Sequence, residues 1–145
     1  MANKSPSIRL DAPAPGVEDA ERLLKVAYRE LRDAKQPVKV RQAAEKGWLA
    51  ARTAAQAVVA CAGQDWQAHK GLVLRAGGVE DNALPHRERV LTKAIVQARS
   101  HLHVTAFYAG DEESMDPKDI KNTLDKVRDA MPRARQVCRI HSSRR

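Results

Sequence analysis

One stretch limits what this chain can become. Between Gln36 and Gly63 runs PVKVRQAAEKGWLAARTAAQAVVACA, in which alanine is the commonest residue and tryptophan occurs once. Ala44, Trp48, Ala51, Ala55, Val58 and Ala62 recur at steps of four and three, the spacing of one face of an α-helix. Alanine is the best helix former. Its small side chain also lets a neighbouring helix approach closely, so this helix, predicted over about Pro37 to Ala62, belongs against other helices. Trp48 is the one large side chain in the stripe, and it should plug the middle of the core.

The remainder follows the same pattern. In GVEDAERLLKVAYRELRDA the apolar residues Ala20, Leu23, Leu24, Ala27 and Leu31 make a helical stripe, and acids cluster in the first turn where the helix dipole favours them. A third helix is expected from near His86, with Val90, Leu91, Ala94, Ile95, Ala98 and Leu102 facing inward. A fourth is expected after Asp116-Pro117, a good N-cap followed by a good first residue. Its stripe is Ile120, Leu124, Val127, Met131 and Ala134. Residues 63–85 hold Gly71, Gly77, Gly78 and Pro85, and read as a connection with one short helical turn around Trp66 to Leu74. Aromatics are only 3% of a 145-residue chain, which disfavours sheet. The expected fold is all-α: an antiparallel four-helix bundle with a short extra helical turn between helices 2 and 3. The expected layout is a disordered arm over 1–15, the bundle over 16–134 and a basic tail over 135–145.

Charge and cysteine set the function classes. The net charge is +8, and Pro132 to Arg145 alone carries five arginines and no acid. Arg133, Arg135, Arg139, Arg144 and Arg145 are therefore candidate polyanion contacts. Cys61 and Cys138 are 77 positions apart and read as small, buried, free thiols rather than a disulfide. The N-terminal residues have no apolar run of the signal-peptide kind, and Trp48 to Gly63 is too short and too polar to span a bilayer. A cytoplasmic protein without membrane contact is expected. No CxxC, HExxH or acidic cluster suggests a metal, and the AGG at 76–78 lacks the ending of a phosphate loop. No metal and no cofactor are expected.

Two segments resemble a known family. QAAEKGWLAARTAAQAV, Gln42 to Val58, is similar to the second-helix signature of small HEPN-like proteins, most of all the PaREP-type branch, where a Glu-Lys pair precedes a Trp. Glu45, Lys46 and Trp48 hold those places. LHVTAFYAGD, Leu102 to Asp111, is similar to that branch's Leu-His followed by an aromatic pair, held here by His103, Phe107 and Tyr108. The resemblance spans about residues 18–132. It implies a HEPN-like helical bundle, frequent homodimers and a general association with nucleotides or RNA. Some HEPN branches are metal-independent RNases.

Those RNases use an arginine, a polar residue and a histidine, with four to six residues between the arginine and the histidine. Histidine can move a proton near neutral pH, and arginine offers a fixed fork to a phosphate. Arg99, Ser100 and His103 are the candidate catalytic residues, but only three residues separate Arg99 from His103. A second match, Arg135 to His141, has the right spacing in the wrong place. Three readings follow. The favoured one is a non-catalytic module for RNA, nucleotide or another polyanion, partly through the arginine-rich end. The second is a scaffolding or regulatory protein that binds a protein partner through a helical face, helix 2 above all. The third is a metal-independent endoribonuclease.

Overall fold

Every regular element in the described residues of the computed structural model is helical. The structure describes residues 13–85, 88–108 and 116–144, with backbone only for 105–108. Helix α1 spans Val17–Asp33 and buries Val17, Ala20, Leu24, Ala27 and Leu31. Its N-terminus is closed by the Asp19 carboxylate, which accepts from the Gly16 N–H at 2.7 Å. Helix α2 spans Pro37–Cys61, with proline in its first turn. Helix α3 is Leu72–Ala83 and α4 is Val90–Ala98. A π-helical segment, Arg99–Tyr108, continues α4 directly, and α5 is Pro117–Ser143. The Asp116 side chain caps α5 by accepting from Lys118 N–H at 2.9 Å.

Helix α2 is the centre. Ala43, Ala44, Ala50, Ala51, Ala54, Ala55, Ala57, Val58 and Val59 are all buried, and α1, α3, α4, the π segment and α5 all pack on it. Alanine on nearly every face is what admits so many neighbours. Most apolar positions of α2 are therefore covered within the fold, with Val38 in its first turn left 46% exposed. Gly47 marks the tightest point. A methyl there would overlap a δ-methyl of Leu124 on α5 and sit 3.0 Å from Leu102.

The contacts also give helix directions. Glu21 pairs with Arg135 and Tyr28 with Asp125, so α1 runs opposite to α5. Gly47 meets Leu124 and Cys61 meets Cys138, so α2 and α5 run the same way. Leu102 sits at the level of Gly47, while the start of α4 lies beside Glu80 and Arg133, so α4 and the π segment run opposite to both. Burial and the bond to Asp125 (2.5 Å) hold the Tyr28 hydroxyl well above its ordinary pKa. The same bond keeps the Asp125 carboxyl below its own.

Three expectations change here. The extra helical element starts at Leu72 rather than Trp66, and makes three turns rather than one. Leu74 is 82% exposed, whereas Leu72, Ala76, Val79 and Ala83 are buried. Gly77 lies inside this helix against Thr92, where a Cβ would come within 3.3 Å of the threonine methyl. The second change is at the C-terminus. Residues 135–143 are not a tail, because α5 continues through Pro132 to Ser143. Ala134 and Val137 are fully buried, and that packing outweighs the backbone bond that proline removes.

The third change concerns cysteine. Cys61 and Cys138 form a disulfide joining the last turn of α2 to α5, with Cα atoms 5.3 Å apart, an ordinary disulfide spacing. The free-thiol reading is corrected accordingly. Sequence distance hid the pair, while the parallel course of α2 and α5 brings it together. Such bonds persist in oxidising compartments, so the cytoplasmic expectation draws no support from the cysteines. No helix among the described residues is long and apolar enough to cross a membrane.

Glu80 is the most deeply buried charge, 1% exposed. It accepts from the N–H groups of Leu91 (2.9 Å) and Thr92 (2.8 Å) and from the Thr92 hydroxyl. Those amides lie in the first turn of α4, so a carboxylate on α3 does the work of a local N-cap residue. Arg89, just before α4, takes a left-handed φ of 55° and pairs with Asp81 at 2.9 Å.

Candidate functional site

Glu45, Trp48 and Arg52 fall at i, i+3 and i+7 on α2, and so share one face of it. Together with His69, Leu72, Val73, Arg99, His103 and Val104 they line a groove of about 570 Å³. Three pieces of chain build it: the middle of α2, the loop into α3 together with that helix's first turn, and the π segment.

The π segment supplies His103 and Arg99 one turn apart. π-turns within helices occur frequently at functional sites, because the wider turn re-aims side chains. Leu102 is fully buried and anchors the segment. His103, half-buried beside it, donates from Nδ1 to Glu45 Oε2 at 3.0 Å. Its ring also stacks on the Trp48 indole, with centroids 5.4 Å apart and planes 27° apart. Trp48 does plug the core, as its spacing predicts, and it also forms the floor beneath an imidazole.

The loop supplies His69. It is bounded by Gly63 and Gly71, both with positive φ (76° and 74°), and is threaded by side chains. Arg75 donates to the carbonyls of Asp65, Ala68 and Lys70. Gln56 donates to the Trp66 carbonyl at 3.4 Å, and the Asp65 carboxylate accepts from Gln67 N–H at 2.9 Å. His69 thereby reaches Arg52, whose Nη2 lies 2.8 Å from His69 Nδ1. Guanidinium has only donors, so the imidazole accepts in this contact.

Charge is polarised along the groove. Since α4 and the π segment run opposite to α2, Arg99 lies toward Arg52, and His103 lies beside Glu45. One end therefore holds two guanidiniums and His69, and the other holds a carboxylate. Apolar Leu72, Val73 and Val104 flank the middle.

The predicted residues divide clearly. Arg99 and His103 do come together at the groove. Ser100, expected with them, is exposed and absent from the lining, and His101 is exposed as well. Glu45, singled out only by resemblance, and Trp48, marked by its spacing as well, line the groove, whereas Lys46 is half-buried outside the lining. The side chains of Phe107 and Tyr108 lie outside the described residues, as does Arg145. Of the other α5 arginines, Arg135 makes a two-armed pair with Glu21 on α1, and Arg133 Nε lies 3.9 Å from Glu80. Arg144 donates to Asn82 Oδ1 at 2.7 Å. Arg139 is exposed. Arg133 and Arg139 line one groove beside Asp129, whereas Arg135 is turned to α1, so the four do not form one patch. The second Arg–His match fails as a site for the same reason: Arg135 faces α1, whereas His141 donates to the Val79 carbonyl at 3.1 Å on α3. No group of three or more His, Cys, Asp or Glu among the described residues could hold a metal ion.

Arg52 and His69 were missed by sequence reasoning. Arg52 left a trace, being a charge within the most apolar stretch of the chain, four residues after Trp48. His69 left none, because only the fold of its loop aims it. No protein-family model, curated protein or solved structure matches this chain.

Proposed function

We propose that this protein is a non-catalytic helical module that binds a phosphate-bearing ligand, RNA or a nucleotide, in the groove between α2 and the π segment. One observation carries the reading: Arg52 and Arg99 converge on a single concave surface with an apolar wall. Convergent cationic donors in a concavity suit a phosphate. The resemblance to HEPN-like proteins, with its general association with nucleotides and RNA, points the same way, and we read the helices as a HEPN-like antiparallel bundle with α3 inserted. The binding surface differs from the one the charge distribution favours, since three of the α5 arginines have partners inside the fold. The test is a titration of fluorescent RNA and of nucleotides against wild type and an Arg52→Ala/Arg99→Ala variant. Affinity should fall at least about tenfold, equivalent to about 1.4 kcal/mol, with helix content unchanged by circular dichroism. Equal binding by both proteins would remove the groove as the site.

A second reading has its own support. Arg99 and His103 line the same groove, and Glu45 orients His103 much as a carboxylate orients a catalytic imidazole. That is a reasonable arrangement for metal-independent RNA cleavage. Incubating labelled RNA with the protein in EDTA tests it. Cleavage that disappears in His103→Ala would establish the activity, and intact RNA with wild type would end it.

A further inference from the structure

We infer that the groove takes one nucleoside monophosphate, with the phosphate at the Arg52–Arg99 end and an amino-bearing base at the Glu45 end, rather than a length of polynucleotide. The inference rests on the groove being the binding site.

Its polarity is the first argument. Glu45 and Arg52 are seven residues apart on one helix face, about 10 Å along the axis, comparable to the reach of a single nucleotide from phosphate to base edge. A strand threaded through the groove would carry its next phosphate toward the Glu45 carboxylate and be repelled there. A lone nucleotide places negative charge only at the cationic end.

The second argument is size and wall chemistry. A groove of about 570 Å³ falls within the range of small-ligand sites. Leu72, Val73, Val104 and the His103 ring provide apolar and π surface for one base, and histidine is among the side chains on which unpaired bases stack. Strand binders instead line a track with several aromatics and a continuous row of cations. Here Trp48 is buried beneath His103. Arg75, which follows the groove residues Leu72 and Val73 on α3, is turned onto loop carbonyls instead of outward.

The third argument concerns the base. A carboxylate only accepts hydrogen bonds, and its two oxygens offer about four lone-pair sites. Glu45 can therefore keep its bond from His103 and accept another from a ligand. Adenine, cytosine and guanine each present an exocyclic amino group. Uracil presents one N–H flanked by two carbonyl oxygens, which a carboxylate repels.

Isothermal titration with AMP, GMP, CMP, UMP, ribose 5-phosphate and a ten-residue oligoadenylate tests the inference. At least one amino-bearing monophosphate should bind ten times or more tightly than UMP and ribose 5-phosphate. The oligomer should gain no affinity over the monomer beyond its number of ends. Glu45→Gln should shrink the preference over UMP severalfold. An oligomer that binds where no monophosphate does, and that is lost in Arg52→Ala/Arg99→Ala, would overturn this inference and leave the groove reading standing. Equal binding of UMP and the amino-bearing nucleotides would overturn the placement of the base. If neither oligomer nor monomer binds, both readings fall together.

Discussion

Arginine occurs in two settings in this molecule. Along α5, Arg133 and Arg135 reach carboxylates on other helices, and Arg144 reaches an asparagine. At the groove, Arg52 and Arg99 face a cavity, with the His69 imidazole as the polar neighbour of Arg52. The first set ties elements together, and the second lines an open groove. Residue type and net charge are the same in both settings, and only the three-dimensional partner differs. Counting arginines along the chain therefore does not tell the two settings apart.

The comparison can be broken from the structural side first. Replacing Cys61 and Cys138 by alanine releases α5 from α2. Closing a loop of 77 residues constrains the unfolded chain by about 4 kcal/mol, and urea unfolding with and without reductant should show a loss of that order. Glu80→Ala should cost about 3 kcal/mol in the same assay, because it strands two first-turn amides, a hydroxyl and the half-buried Arg133. A loss below about 1 kcal/mol would mean that water replaces the carboxylate, and that α4 does not depend on it.

The arginines themselves give the sharper contrast. Arg135→Ala should lower stability by no more than about 1 kcal/mol, since both partners are partly exposed. Its hydrogen bond to Glu21, with the Arg135 charge, holds that carboxyl below its usual value. The pair's contribution should therefore be complete above the ordinary glutamate pKa of about 4.3 and vanish as pH falls through the depressed folded value. Wild-type and variant unfolding curves should converge in that acid window, and a gap that persists below it would assign the loss to packing. Arg52→Ala and Arg99→Ala, taken singly, should shift stability by no more than about 0.5 kcal/mol at any pH. A larger loss from either would place the groove arginines with the structural set.

Much of the fold could be read from spacing. The stripes of α1 and α2 and the Asp116-Pro117 start of α5 are local signals, and they fall where the sequence pattern puts them. Two elements could not be read that way. Gly77 and Gly78 resemble the end of a helix, yet α3 runs through them because Gly77 lets Thr92 pack closely. Pro132 and the arginines after it resemble a frayed end, yet Ala134 and Val137 are fully buried and Cys138 meets Cys61 on α2. The groove was half legible. Arg99 and His103 are neighbours in sequence and one turn apart in space. Arg52 meets His69 only across a seventeen-residue separation, and no local pattern encodes that meeting.

The Cys61–Cys138 bond also divides the chain topologically. It closes a ring that contains α3, α4, the π segment and most of α5, with α1 and most of α2 leading into it. A single proteolytic nick anywhere inside the ring leaves one covalent molecule, which separates into fragments only after a thiol is added. A nick in the link between Asp33 and Pro37 acts differently. Among the described residues, helix α1 is then held by packing and by its bonds to Asp125 and Arg135, so it can leave an oxidised, nicked protein whose other described helices stay covalently joined.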